Sequence, residues 1–351
     1  MKRSRQQIRQ TTATRDSQRS ELKHTLVYTY GGGRFGNQLL NYINLLSFQF
    51  EYPDFDVYDA AFLPYSDLYD AEDMSLLSLD DPSGPIERAV GTFWGDGIGG
   101  RIGTCTPDRV RLRALHWAAH GVPFAQSIIG GELCLGFDLP GQQYDVFTLS
   151  ESSNLTTLRS RQTSIVAGWR VRCWSLVGNY RTEIQEHLQP EQRFITPAKR
   201  HVSGLVDQFD VVVGVLIRQD DYREWCDGRY FFTSKRYRTW LEQYSDHHPD
   251  ERVGFLIASD EDQSRQLFEP DEYTFATGEA VGKNHFMESF AELSLCDIIL
   301  TPPSTFSTAA AFLGDVPVVP LYDGVSDDGW ERLDEPLLGS LDHHTMNDSI
   351  K

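Results

Sequence analysis

The regular hydrophobic pattern begins at His24, where a β-branched and aromatic run over residues 25–30 predicts a β-strand. That run leads directly into a glycine-rich turn at residues 31–36. Beyond the turn, the apolar residues at positions 39, 40, 42, 43, 45 and 46 have the spacing of a helix with one buried face. Strand, glycine turn and helix together predict the opening of a βαβ unit.

A second region of strands and helices begins near Pro197. Continuous apolar runs predict buried strands at residues 211–217, 254–258 and 297–301, with one more short edge strand at 317–320. The intervening segments predict helices at residues 198–208, 234–245, 287–295 and 305–313. This alternation indicates a parallel sheet covered on both faces, so ligands are expected at the loops that follow the strands.

The pattern divides the chain into two α/β domains with a tail at each end. A basic tail, expected to be disordered, covers residues 1–23, the domains cover 24–196 and 197–325, and an acidic tail covers 326–351. Between residues 51 and 195 the pattern is looser and leaves the topology open. It includes a predicted helical segment near 108–119 and a glycine turn at 130–131.

The charge balance excludes one class of partner. Lys and Arg number 32 against 51 Asp and Glu, giving a net charge of -19, so nucleic acid is a poor partner for this surface. The basic residues are 26 Arg and only 6 Lys. Acidity of this kind favours a cytoplasm of high salt, with an ordinary acidic cytosolic protein as the alternative.

Cysteine usage and hydropathy favour a reducing, cytoplasmic location. The five cysteines are scattered and form no CxxC pair, which argues against a disulfide framework or a zinc site. No apolar run reaches the roughly 18 residues of a membrane span, and the N-terminus has no secretory core. A merely solvated basic tail is favoured over one that makes peripheral contact with anionic lipid.

The first candidate site is the glycine turn with the start of its helix, namely Gly33, Gly36, Asn37 and Gln38. Glycines let the backbone come close to a ligand, and the exposed amides of a helix start attract anionic oxygens. The spacing fits neither a dinucleotide fingerprint nor a P-loop. An ordinary glycine turn without a ligand is the alternative.

The second candidate site is Arg218 with Asp221, just beyond the most hydrophobic strand. An arginine there can meet a phosphate with two parallel hydrogen bonds, and a nearby carboxylate can hold its guanidinium in place. A surface ion pair is the alternative, and the position beyond a buried strand favours a functional role.

Two further candidate sites also follow strands. After residue 301, two prolines stiffen a turn in which Ser304 or Thr305 can cap the next helix, and its amides and hydroxyls can hold an anion. A cap without a ligand is equally compatible. Ser259 and Asp260 follow another strand, where such a pair can contact a ribose or a base.

No metal site is expected from the sequence. Asp54-Phe55-Asp56 has the DxD form of metal-dependent sugar transferases, but such triplets arise easily by chance in an acidic chain, and we interpret it as surface. The ten histidines are scattered and form no HExxH.

Taken in order, five motifs resemble those of family 11 glycosyltransferases, the α-1,2-fucosyltransferases. They are GlyArgPheGlyAsnGln at 33–38 with Tyr42, IleArg and AspTyr at 217–222, SerAsp at 259–260, SerLeuCys at 294–296 and SerThrPheSer at 304–307. The family shows GlyGlyLeuGlyAsnGln, then HisIleArgArgGlyAspTyr, then SerLeuCys eight residues ahead of SerThrPheSer. The same eight residues separate Cys296 from Ser304 here.

The resemblance implies a GT-B fold of two facing Rossmann-like domains, with 24–196 on the acceptor side and 197–325 holding the nucleotide sugar. It implies GDP-fucose as donor, inversion by direct displacement without a metal or other cofactor, and a glycan or glycolipid acceptor. Arg218 would neutralise the β-phosphate of the leaving GDP. The residues of the serine motif would line the diphosphate cradle, and Gly36, Asn37 and Gln38 would approach the sugar and phosphates. The serine-motif residues are Ser304, Thr305, Phe306 and Ser307.

Several positions depart from the family pattern. The family's histidine, second arginine and glycine fall on Leu216, Gln219 and Asp220, and two usual tryptophans fall on Thr308 and Ala309. A related transferase for another 6-deoxy sugar fits these departures almost as well as a fucosyltransferase. A degenerate transferase that binds glycan or nucleotide without turnover is the second hypothesis.

Overall fold

The computed structural model describes residues 24–30, 33–69, 75–77, 134–135, 146–161, 163–167, 170–269 and 271–322. The two tails, the helical segment near 108–119 and the glycine turn at 130–131 lie outside these ranges. The described residues form two compact units. The first takes its residues from Met1–Gly31, Leu45–Leu63 and Leu76–Cys173, and the second from Gly32–Asn44, Pro64–Ser75 and Trp174–Lys351.

The first unit is built on parallel strands. They are β1 (His24–Tyr30), β2 (Phe55–Asp59), β3 (Cys134–Leu135), β4 (Val146–Thr148), β5 (Thr163–Ala167) and β6 (Arg170–Arg172). One sheet has the order β2-β1-β5-β3, and β4 pairs with β6. Helix α1 (Phe35–Glu51) follows β1 and has residues in both units, and helix α2 (Ser152–Arg159) follows β4. Because Leu26, Val27 and Tyr28 are fully buried, the first predicted strand is a core element of this sheet.

The second unit contains a parallel sheet of strand order β11-β10-β7-β8-β9. These strands are β7 (Val211–Ile217), β8 (Val253–Ser259), β9 (Tyr273–Phe275), β10 (Ile298–Thr301) and β11 (Val318–Pro320). Its helices are α3 (Trp174–Asn179), α4 (Arg181–His187), α5 (Gln192–Val206), α6 (Ser234–His247), α7 (Phe286–Leu293) and α8 (Thr305–Gly314). Short 3₁₀ segments in the chain lie at Leu63–Leu68, Ser75–Leu77, Asp221–Arg223, Trp225–Gly228 and Arg265–Phe268. The α/β class and the parallel sheet are confirmed.

Alternate residues of β7 pack on opposite faces of the second sheet. Val213 and Val215 join the core cluster that includes Trp240 of α6. On the other face, a β-carbon placed on Gly214 would lie 2.9 Å from the side chain of Leu293 of α7. Helices therefore cover both faces, which is why the strands read as continuous apolar runs. Among the described residues, no helix is long and apolar enough to cross a lipid bilayer.

The compact units divide the chain differently from the predicted domains. Residues 32–44 and 174–196 belong to the second unit, whereas the sequence pattern placed both segments in the domain 24–196. The contacts of Phe35 help explain the first assignment. Its ring lies 5.3 Å from that of Phe290 of α7 and 6.2 Å from that of Phe306 of α8, measured between ring centroids. The boundary between residues 196 and 197 stays a prediction.

A buried acidic group joins α5 to α7 in the second unit. Glu288 and Glu292 lie four residues apart on α7, and Glu292 is fully buried. Thr277 Oγ1 is 2.7 Å from Glu288 Oε2 and 2.8 Å from Glu292 Oε1. His201 Nδ1 of α5 lies 2.7 Å from Glu292 Oε1, and this hydrogen bond raises the pKa of His201. When it is protonated, the imidazole is thus the counterion of a fully buried carboxylate.

The raised pKa of His201 predicts a stability that depends on pH. The ion pair contributes fully below the ordinary histidine pKa of about 6.5 and is lost as the pH rises through the raised folded value. The loss of stability in His201→Gln should therefore be larger at about pH 6 than at about pH 9, as measured by urea unfolding. In a Glu292→Gln background this pH dependence should disappear. An equal loss at both pH values would contradict the assignment.

Candidate functional site

The strand order of the second sheet places a crevice between β7 and β10. From β7 the chain proceeds to β8 and β9 on one side, and then returns to β10 and β11 on the other. Loops that leave neighbouring strands in opposite directions open a crevice at the carboxyl ends, where ligands bind in α/β proteins. Arg218 directly follows β7, and the turn 302–304 directly follows β10. Two of the predicted sites therefore flank one crevice.

Arg218 is held from several directions. Its Nη2 donates to Asp221 Oδ1 at 2.8 Å, and its Nε lies 3.4 Å from Asp260 Oδ2. Its Cζ lies 4.8 Å from the centre of the Tyr222 ring, which is a cation–π distance. The predicted pairing of Arg218 with Asp221 is therefore present, and Asp260 is a second carboxylate beside the same guanidinium.

The ionisation of this group follows from its burial and its charges. Burial disfavours the charged form of Arg218, but Tyr222 and the carboxylates of Asp260 and Asp221 outweigh it, so that the pKa is raised and the guanidinium stays charged. Burial raises the pKa of Asp260, although Arg218 acts in the opposite direction. Burial also raises the pKa of Tyr222 to about 12, which keeps its hydroxyl a neutral hydrogen-bond donor.

Tyr222 connects Arg218 to the turn after β10. Its ring lies against the guanidinium, and its hydroxyl donates to the carbonyl oxygen of Pro303. Pro303 immediately precedes Ser304, the first residue of the serine motif. Arg218 and the serine motif are therefore connected through a single buried side chain. The sequence places this tyrosine in a motif, but its pattern does not reveal the connection to Pro303.

Ser304 occupies the N-cap position of α8, but its side chain makes no capping hydrogen bond. Ser304 is therefore at the predicted cap position, but its hydroxyl does not make the expected capping contact. Instead, the Ser304 carbonyl accepts from Ser307 Oγ at 3.1 Å and from Thr308 Oγ1 at 2.8 Å. Because the side chain supplies no acceptor, the amides of the first turn keep their capacity to bind an anion. Ser307 is fully buried, so its hydroxyl serves the turn itself.

The glycine segment meets the start of α8 at Gly36. A β-carbon on this residue would lie 2.6 Å from the backbone nitrogen of Phe306 and 2.8 Å from the carbonyl carbon of Thr305. Only glycine permits this approach. The first turns of α1 and α8 are thus in contact, so the positive ends of the two helices lie close together. Gly33, with φ at +82°, makes the preceding bend.

The other predicted residues of the glycine and serine motifs differ in their exposure. Asn37 is partly exposed, whereas Gln38 is fully buried and presents no surface to a ligand in this conformation. The Phe306 ring packs against Phe35 and Phe290, so it supports the contact between α1 and α8. Thr305 is partly exposed at the start of α8. The ligand roles of these residues stay predictions.

Ser259 and Asp260 hold the loops together after β7 and β8. Ser259 Oγ accepts from the backbone nitrogen of Glu261 at 3.2 Å and from Gln263 Nε2 at 3.1 Å. Asp260 Oδ1 accepts from the backbone nitrogen of Gln219 at 2.9 Å. Gln219 in turn donates to the Phe232 carbonyl and accepts from Gln263. In the sequence, Gln219 is only a departure from a motif. Its role in this network was missed because Gln263 lies 44 residues away, and no local pattern identifies it as the partner.

The described residues contain no group of three or more His, Cys, Asp or Glu side chains that could hold a metal ion. Asp54, in the triplet of DxD form, receives two hydrogen bonds from Arg159, at 2.8 and 3.2 Å. Phe55 is buried in β2. The Asp54 carboxylate therefore faces the guanidinium of Arg159 rather than another acidic side chain.

Comparison with known proteins gives no match to a family model and none to a curated protein. Among solved structures, the chain is similar to POFUT1 in complex with GDP-fucose, with 13% identity, a TM-score of 0.47 and coverage of 85% of this chain and 96% of that one. A mutant of Arabidopsis thaliana FUT1 in complex with GDP is 12% identical, with a TM-score of 0.48 and coverage of 89% of this chain and 74% of that one. NodZ α-1,6-fucosyltransferase soaked with GDP-fucose is 12% identical, with a TM-score of 0.44 and coverage of 90% of this chain and 100% of that one. All three TM-scores are below 0.5, so no conclusion about this chain's activity follows from them.

Gly36→Ala tests the contact between the two helix starts. The new methyl group would overlap the backbone of Phe306, so we expect a loss of about 1–3 kcal/mol in the free energy of unfolding. Urea denaturation measures this loss. Gly204→Ala is the matched control, since nothing lies within 4 Å of a β-carbon there and Gly204 is inside α5. It should gain about 0.5–1 kcal/mol. Similar effects of the two changes would contradict the close approach.

Proposed function

We propose that the protein is an inverting, metal-independent glycosyltransferase that moves fucose, or a related 6-deoxy sugar, from a GDP-sugar to a hydroxyl of a glycan or glycolipid. One observation carries this proposal. Arg218 contacts Tyr222, Tyr222 bonds to Pro303 beside the serine motif, and the serine motif touches Gly36. Three motifs that lie far apart in sequence and resemble one family's donor site therefore meet in one crevice.

The chemistry of that crevice suits a diphosphate leaving group. In the proposed reaction the acceptor oxygen attacks the anomeric carbon of the sugar from the face opposite the diphosphate. The bond from that carbon to the β-phosphate oxygen breaks, and negative charge develops on the phosphate. Arg218 stabilises this charge with a guanidinium that stays protonated, and the helix starts at Phe35 and Thr305 add positive potential.

The carboxylates beside Arg218 have positioning roles in this proposal. Asp260 is largely buried and faces Arg218 Nε, so it orients the guanidinium. Asp221 is half exposed, so the entering phosphate can displace it from Nη2. The acceptor proton passes to a base outside this group, because Asp221 and Asp260 lie beside the guanidinium that binds the leaving phosphate, whereas the acceptor attacks from the opposite face.

The identity of the donor rests on the motifs of this chain. POFUT1 was solved in complex with GDP-fucose and NodZ was soaked with GDP-fucose, but their TM-scores, 0.47 and 0.44, are too low to add support. The net charge of -19 supports two further parts of the proposal. Nucleic acid is excluded as a partner, and the protein works in a cytoplasm of high salt. Contact with a membrane is at most peripheral in this proposal and would use the basic residues of 1–23, for which a merely solvated tail is the favoured interpretation.

A transferase fold that binds glycan or nucleotide without turnover is the alternative. It is motivated by Leu216, Gln219 and Asp220, where the family pattern has histidine, arginine and glycine. Binding of GDP-fucose without hydrolysis, and without transfer to any glycan offered, would favour it.

Arg218→Ala tests the proposed role in the reaction. Loss of one charged donor to the leaving group should lower kcat by about 10²–10³-fold. Mass spectrometry of GDP-fucose and other GDP-sugars, incubated at high salt with an array of glycan acceptors, measures the turnover. Unchanged turnover in this variant would contradict the mechanism.

Arg252→Ala is the matched control. Arg252 pairs with Asp210 at 2.9 Å, and both residues precede strands, so they lie at the end of the sheet opposite the crevice. This variant removes one exposed arginine and should keep the wild-type rate.

A further inference from the structure

Arg34 forms an exposed ion pair with Asp220, beside Arg218 of the proposed donor site. Its Nη2 donates to Asp220 Oδ2 at 2.7 Å, and the two side chains are 58% and 48% exposed. Arg34 lies one residue before α1 and two before Gly36, which touches the start of α8. Asp220 lies two residues after Arg218. The pair therefore connects the glycine segment to the loop that carries Arg218.

Asp220 lies among several positive charges. The hydrogen bond from Arg34 is the main cause that lowers the pKa of Asp220, and the charges of Arg218 and Arg223 act in the same direction. One exposed carboxylate is thus within electrostatic reach of both Arg34 and Arg218. A phosphate that approaches Arg218 competes with this carboxylate for the same two cations.

The position after Arg218 supplies no second cation. Gln219 is 7% exposed, and its amide bonds to the Phe232 carbonyl and to Gln263. Arg223 also acts on Asp220, but both ends of its guanidinium are bound to Glu261. Of the three arginines whose charges act on Asp220 in the described part of the chain, Arg34 has one carboxylate partner and more than half of its side chain exposed, so it is the best placed to move onto a ligand. In the motifs of the family that the sequence resembles, the positions of Arg34 and Asp220 are both glycine.

We propose that Arg34 is a second guanidinium for the donor diphosphate, and that Asp220 holds it at the edge of the site until the diphosphate displaces the carboxylate. This inference rests on the proposed function. Arg218 then binds the phosphate from the floor of the crevice and Arg34 binds it from the rim. A merely structural reading is that Arg34 only neutralises Asp220, and the two readings differ in what a double variant does.

Calorimetric binding of GDP and of GMP to the full chain separates these readings. In Arg34→Ala, GDP should bind about ten-fold more weakly, because a charge-assisted contact is lost, while GMP affinity changes less than about two-fold. Asp220→Asn should bind GDP at least as tightly as the wild type, since it removes a competing charge. The double variant R34A/D220N should stay as weak as R34A. If Arg34 only neutralises Asp220, the double variant recovers wild-type affinity, and that result would overturn the proposal.

The controls separate failure of this inference from failure of the proposed function. Arg252→Ala, with an exposed Arg–Asp pair at the opposite end of the sheet, should leave the affinity for GDP unchanged. If the wild type binds GDP and Arg218→Ala weakens it, but Arg34→Ala does not, only the role of Arg34 is wrong. If the wild type does not bind GDP, both proposals fall. Circular dichroism of each variant confirms that the fold is retained.

Discussion

The ring of Tyr222 is the contact on which the arrangement of the crevice depends. It lies against the guanidinium of Arg218, and its hydroxyl bonds to the carbonyl of Pro303. Since burial keeps the phenol protonated, the hydroxyl remains a donor over the whole physiological range of pH. Because Tyr222 has a rigid ring and only two rotatable bonds, it fixes the distance between the Arg218 guanidinium and the turn after β10.

The loops around this contact are ordered by buried polar networks. Gln219, Gln263 and Ser259 bond to one another between the loops after β7 and β8, and each is less than a tenth exposed. Satisfied buried networks of this kind specify a single loop conformation, because any other would leave polar groups unpaired. The entropic cost of ordering these loops therefore arises during folding and does not weaken ligand binding.

Much of the second unit could be predicted from sequence, because its strands are continuous apolar runs and the crevice lies where such strands end. Contacts between residues that are distant in sequence could not be predicted in this way. Pro197 suggested the start of a helix, yet α5 begins at Gln192, because the buried side chain of Phe194 extends the apolar face upstream. The link from Tyr222 to Pro303 and the packing of Gly36 on Phe306 depend on tertiary approach, which no local spacing encodes.

The carboxylates of Asp221 and Asp260 beside Arg218 act as counterions that the protein itself supplies. A mobile anion such as chloride gains little at this guanidinium, because tethered negative charges already occupy its neighbourhood. A multivalent anion can still displace the half-exposed Asp221 through several contacts at once. In a concentrated electrolyte, such a site discriminates against abundant monovalent ions without any additional barrier.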